Sequence, residues 1–509
     1  MVWFRVLAVA AWLAAGAWPR AATSEATPVG PAYDRFRLTL EPGERTEAFG
    51  PLYYSQTLWE DAPAGLGPLE LPGDATAVQT AAETIALPPI FSTLKRPQLE
   101  ASSWDLFYPV ITYDRYGAEY RLQFGQLLSF SGGKSAGGDD AHGFSLFPLI
   151  FFRRASDPTQ NYSAVLPFYG HMQKRLFRDE VTAIMWPLYA QTRKKDVVTD
   201  NYLVPLFHLR HGDGLRGWQF WPLIGHEHKD VTTRTNAFGD LESTAARDAF
   251  FVMWPLFFRN TVDIGTTNEI RQRTFLPFFN FQLSAAKDTR TYLWPLGPTF
   301  VDARAEGYRQ VGVPWPLIVF ARGEGKTTDR VFPLYSHSRY RDGETTWYAW
   351  PVWWHRHSRS PALERDILRL GFFAFTDITD RNVATGQVSR RTDLWPLFIT
   401  RRDYDGNERF QMLAPIEAIL PSNPSVIRNW SPLWSIWRSE RNARTGATSQ
   451  SMLWNLYRYE RVGGTKKCSL LFGLVQYHNG PNGAGWRWLH LFGHRPPPTT
   501  TTTNVPEHR

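Results

Sequence analysis

The sequence predicts an all-β protein: an antiparallel up-and-down meander of about 19-residue single-strand repeats, each with a central proline. Three observations predict it. A short word, aromatic or Leu then Pro then Leu or Phe, recurs along most of the chain. Proline in the middle of nearly every unit would break a helix at each copy. Turn clusters such as Gly212-Asp213-Gly214 and Arg341-Asp342-Gly343 separate the apolar segments, which is a hairpin signal.

The strict word stands at Trp186-Pro187-Leu188, Trp221-Pro222-Leu223, Trp254-Pro255-Leu256, Trp294-Pro295-Leu296, Trp315-Pro316-Leu317 and Trp395-Pro396-Leu397. Relatives include Phe147-Pro148-Leu149, Val204-Pro205-Leu206 and Trp350-Pro351-Val352, with degenerate copies at Ala414-Pro415-Ile416, Ser431-Pro432-Leu433 and Trp454-Asn455-Leu456. The spacing of about 19 residues is the signature of a repeat architecture. The longest insertion between copies is Val231 to Arg247. Each unit reads as one strand of about 11 residues plus a turn. The pairing expected for Asn201–His211 with Trp218–Lys229 runs around a 212–217 turn.

If the proline lies at strand centre, both faces of each strand are apolar there, because alternate residues share a face. Phe220 and Ile224 then side with Pro222, and Trp221 with Leu223. Apolar material is needed on both sides. A closed barrel in a bilayer meets that need and is preferred over a propeller or a large sandwich; a 19-residue parallel β-helix coil is the remaining competitor. Strand length and aromatic content suit a barrel. A mid-strand proline in lipid, leaving a carbonyl unpaired, counts against it.

Residues 1–17 read as an export signal: Arg5, the apolar run Val6 to Ala14, and Ala15-Gly16-Ala17 before a cut. The expected divisions are this signal, a Pro/Ala/Gly-rich segment at 18–100 with few strands, the repeat domain at 101–495, and a disordered Pro/Thr tail at 496–509. Gly132 to Asp140 reads as a flexible loop.

Composition narrows the function classes. The 509 residues hold 22 Trp, about three times the usual share. A single cysteine, Cys468, excludes a disulfide framework or a multi-cysteine zinc site. A net charge of +8 without a long basic run gives no reason to expect nucleic acid.

Candidate chemistry is sparse, and no catalytic, cofactor-binding or metal-ligating residue is assigned. Gly132-Gly133-Lys134-Ser135 resembles the end of a phosphate loop, but Leu128 stands where that motif needs glycine. His226/His228 and His355/His357 each place two imidazoles on one strand face with no third ligand read nearby. Basic clusters such as Arg153-Arg154, Arg193 to Lys195 and Arg401-Arg402 form solvated rims that could meet anionic envelope material. The expectation is an exported, non-enzymatic bacterial envelope protein: an outer-membrane-associated β-barrel acting as channel, carrier of lipidic cargo or structural element. The alternative is a soluble or surface-bound scaffold binding lipopolysaccharide, glycans or protein partners, with exposed Trp and Tyr stacking on sugars beside the basic rims.

Overall fold

The computed structural model describes residues 33–59 and 80–493, with short breaks at 135–137, 139, 176, 236–238, 482 and 490–491. The export signal and the 496–509 tail lie outside the described residues. Among those residues, 43 strands form one antiparallel sheet, and each pairs only with its neighbours in chain order. The 231–247 insertion carries a separate hairpin, Thr232–Thr235 with Leu241–Thr244, and the main sheet resumes beyond it. The sheet begins at Asp34, so the described part of 18–100 already contributes five of its strands. Asp34–Arg37 pairs with Gly43–Ala48 alone, and Phe492–Gly493 with Gly483–Trp488 alone. The ladder of the described residues therefore does not close on itself as the expected barrel would.

The repeat differs from the expected one in a way that changes the architecture. Each unit holds two strands, not one. Residues 185–202 show the pattern: a four-residue turn, the strand Tyr189–Lys194, the tight turn Lys195-Asp196, and the strand Val197–Tyr202. The proline sits in the longer turn, not at strand centre. A residue without an N–H cannot serve the ladder, and the turn is where no ladder donor is required. The prolines of the six strict words all follow cis peptide bonds. Copies 415 and 432 fall in a single connection between Glu408–Met412 and Trp437–Arg441, with Pro432 inside the short helix Ser431–Trp434.

Strand lengths follow from this. Most strands have five to seven residues, and none exceeds eight. At about 3.3 Å per residue a six-residue strand runs ~20 Å, short of the roughly 9–11 residues that cross a bilayer. The pairing around 212–217 is also replaced. Tyr202 pairs with Phe207, and Phe207 with Phe220, so Asn201–His211 contains a turn of its own.

Successive proline turns bond to one another. Trp186 N–H donates to Pro167 O, Val204 N–H to Pro187 O, Trp254 N–H to Pro222 O, and Trp350 N–H to Pro333 O, all at 2.6–2.7 Å. Each donor directly precedes the next proline, which has no N–H of its own. In these turns the word supplies an acceptor on proline and a donor on the residue before it; Trp221, Trp315 and Trp395 donate instead to Leu206, Gly297 and Ala374 O. Met185, Leu203, Met253, Leu293 and Ala349, one position earlier, all adopt left-handed φ values of 44–51°, a conformation that side-chain-bearing residues seldom take.

The register continues this order into the strands. The residues flanking the proline turns form one apolar row: Ile184 opposite Tyr189, Tyr189 opposite Tyr202, Tyr202 opposite Phe207, Phe207 opposite Phe220, then Ile224, Val252, Phe257 and Phe275. Their rings touch: Tyr189–Tyr202 centroids are 5.2 Å apart and Tyr348–Trp353 5.0 Å, spacings at which aromatic pairs attract. The next row inward belongs to the other face, because side chains alternate. It holds small or polar residues such as Ala183, Ala190, Asn201 and Gly225. Ala164, Thr274, Thr328 and Ser336 are almost completely buried. A Cβ on Gly225 would lie 2.4 Å from the Phe251 ring, so this face is crowded. The apolar core is thin and local, as in Phe151, Tyr162, Ala164, Met172 and Val181.

The two-strand period makes a direct prediction. Deleting residues 185–202 joins Ile184 to Leu203 with every later turn still on its own edge, so a cooperative thermal transition and the β signal in circular dichroism should survive. Deleting residues 189–196, one strand and its tight turn, moves later proline turns to the opposite edge and should abolish both. Equal tolerance of the two deletions would refute the two-strand unit.

Candidate functional site

Because the proline turns alternate with the other connections, the sheet has two unlike edges. One edge carries every strict word. Trp186, Trp254 and Leu188 are about half exposed, at 50%, 51% and 52%, and Phe168 is 63% exposed. Phe107, Val110, Leu127, Phe147, Leu149, Leu203, Leu223, Leu256, Leu296, Leu334 and Leu397 extend the same apolar edge. Trp315 lies there too, half-buried within the turn around Pro314 and Pro316. The opposite edge is made of turns such as Lys195-Asp196, Asp213-Gly214, Arg341-Asp342 and Gly463-Gly464. Phe177, 97% exposed, is an aromatic exception on that edge.

The basic clusters predicted from sequence stand toward the polar edge, at strand ends remote from the words. Many are paired: Arg193 with Glu180, and both Arg210 and Arg247 with Glu227. Basic rims and Trp-bearing turns are therefore separated by the length of a strand. This corrects the expectation that they lie side by side.

The histidine pairs meet carboxylates that the sequence pairing missed. His226 Nε2 and His228 Nδ1 lie 2.9 and 3.3 Å from Asp248 Oδ1, which the insertion delivers on the far strand. His355 and His357 reach Asp366 in the same manner. Among the described residues no group of three His, Cys, Asp or Glu is arranged to hold a metal ion. Lys134 sits in a bridge to Asp140 between strands, not before a helix as a phosphate loop requires.

A second feature was invisible in the sequence. Hydrogen bonds between residues far apart in the chain converge on one seam, where the first strands face the region 423–458. The helix Pro424–Asn429, capped by the Asn423 side chain on Val426 N–H at 3.0 Å, anchors it. Arg428 and Asn429 donate to Asp105 Oδ2 at 2.8 and 3.0 Å, Trp430 Nε1 donates to Tyr108 O, and Tyr54 donates to Arg428 O. Alongside, Glu47 accepts from Arg438 at 3.1 Å and from Asn455 at 2.6 Å, with Arg45 Nε 2.8 Å away. The guanidinium carbons of Arg45 and Arg458 lie over the Tyr54 and Phe36 rings, 3.9 and 3.3 Å from their centroids. The sheet thus curls until its first strands meet the region 423–458 through side chains, and four further strands of the described residues, from Thr465 to Gly493, continue beyond the seam.

Buried charges here respond to one another. Burial opposes the charge of Glu47, but Arg438 and Arg45 more than offset it and hold its pKa down to about 2. For Asp34 burial dominates, only partly countered by Arg458, and its pKa rises from 3.8 to about 6. The chain matches no protein-family profile and no curated protein.

Asp34 sets a pH dependence. A folded pKa above the unfolded one contributes stability that is complete below about 3.8 and lost as pH rises through about 6. The melting temperature of the protein should therefore carry a falling component across that window. In Asp34→Asn it should be absent, with higher stability at neutral pH. Melting curves from pH 4 to 7 with the same slope in both proteins would contradict this reading.

Proposed function

We propose that this is a non-enzymatic, exported envelope protein whose apolar edge seats in one leaflet of a lipid surface, where it acts as a structural wall or a carrier of lipidic cargo. The observation that carries the reading is the concentration of exposed Trp, Leu, Phe and Met turns along one edge of a sheet whose other edge is mostly polar, with Phe177, Leu99 and Leu241 as large apolar exceptions there. With 43 strands about 4.8 Å apart, the edge has a path length of ~200 Å. An apolar strip so long and narrow suits an extended fluid surface better than a compact protein partner.

Depth and energy agree with partial insertion. The turn and the first apolar row occupy roughly 7 Å at about 3.3 Å per residue, comparable with the 5–10 Å to which interfacial elements sink. That is far less than the ~30 Å of a hydrocarbon core. Each half-exposed Leu or Trp transferred from water gains about 1 kcal/mol, so ten turns supply ~10 kcal/mol. Glycan binding is less well supported, because sugars need polar partners beside the aromatic faces, and the basic clusters stand at the other edge.

Flotation with phosphatidylcholine vesicles tests the reading. The full chain should float with the vesicles, and a variant combining Leu188→Lys, Leu256→Lys and Leu397→Lys should stay in the dense fraction while keeping its melting transition. A wild-type chain that remains in the dense fraction, as a monomer or as an edge-to-edge dimer, would contradict it.

A further inference from the structure

The seam holds an open cavity of about 270 Å³ between the first strands and the region 409–458. Six arginines, Arg37, Arg45, Arg409, Arg428, Arg438 and Arg458, are among its lining residues, with the two glutamates Glu41 and Glu440, the latter 3.2 Å from Arg409. The carboxylates that partner the buried arginines do not line it: Glu47 stands behind Arg45 and Arg438, Asp105 behind Arg428, and Glu460 behind Arg458. The side chains of Arg428 and Arg458 are only 9% exposed. Arg45 Nε is buried without an aligned hydrogen-bond acceptor, since Glu47 is close but poorly oriented. Phe36, Leu38, Phe410 and Ile427 give the same cavity apolar walls.

From this arrangement we infer that the seam cavity binds a small phosphate ester with a short apolar body. Guanidinium groups held rigidly by rings and carboxylates present planar donor forks, which suit phosphate oxygens. A tetrahedral dianion can use donors from several directions at once, and the apolar wall takes the ester group. The exposed residues Arg37, Glu41 and Arg409 mark the mouth. It stands toward the polar edge, since Leu38–Pro42 is the connection opposite the Phe49–Leu52 turn. The ligand therefore comes from water and not from the leaflet in which the other edge is proposed to sit.

Calorimetric titration of the full chain with phenyl phosphate tests this, with inorganic phosphate and vesicles of phosphatidylcholine with and without phosphatidylglycerol as parallel arms. One phenyl phosphate should bind per chain, more tightly than inorganic phosphate, and binding should fall by about tenfold in Arg37→Gln and in Arg409→Gln, the scale of one lost charge-assisted hydrogen bond. These two exposed positions leave the buried pairs intact, and a melting curve checks that each variant folds. Absence of phenyl phosphate binding, or equal affinity in both folded variants, would overturn the inference of a soluble ligand. Binding only to vesicles containing phosphatidylglycerol, lost in Arg409→Gln, would reassign the site to a lipid headgroup. Failure to float on neutral vesicles bears on the edge alone and leaves this site untouched.

Discussion

Backbone hydrogen bonds between successive proline turns on one edge are the constraint on which the structure depends. A proline turn has an acceptor to give and one donor fewer to satisfy. Placing a residue with a free N–H just before the next proline matches the two in several turns, as Trp254 does for Pro222 and Trp350 for Pro333, while Trp221 and Trp395 donate to Leu206 O and Ala374 O of the turn before. That match explains why the word recurs as a unit and why its spacing is kept near two short strands. It also forces all such turns to one edge, because only turns on the same edge can reach each other. The unlike edges, and the aromatic row beside one of them, are consequences.

The repeat was legible in the sequence, and so was the all-β class, because proline at a regular spacing excludes helix and Gly/Asp clusters announce hairpins. The placement of the proline was not. Phe220-Trp221-Pro222-Leu223-Ile224 reads as a continuous strand because both flanks are apolar, whereas Phe220 and Ile224 are partners facing each other across a turn. Turns are ordinarily recognised by polarity, and here the turn is the most apolar part of the unit. The cue that could have separated the readings was the missing proline N–H, which sits badly in a ladder repeated dozens of times. Reading one strand where there are two doubled the strand length and made a membrane-crossing barrel attractive.

The seam was hidden for another reason. Glu47 and Arg438, or Asp105 and Arg428, are separated by more than 300 residues, and nothing local marks a carboxylate as the partner of a distant guanidinium. Only the helix that supports the seam left a trace: Asn423 followed by Pro424 is an N-cap with proline at the first helical position. Buried ion pairs of this kind add little net stability, because desolvation offsets their attraction. In a sheet whose other contacts are between neighbours in sequence, they fix where the first strands dock on the region 423–458.

Edge polarity is the central claim, and labels on the two edges test it most directly. With Cys468 replaced by serine, a spin label at Leu188→Cys and another at Lys195→Cys report opposite ends of one strand. On phosphatidylcholine vesicles, the Leu188 label should be protected from a water-soluble relaxation agent and accessible to oxygen dissolved in the hydrocarbon, while the Lys195 label stays fully exposed to water. Equal exposure of both labels to the aqueous agent would contradict the account.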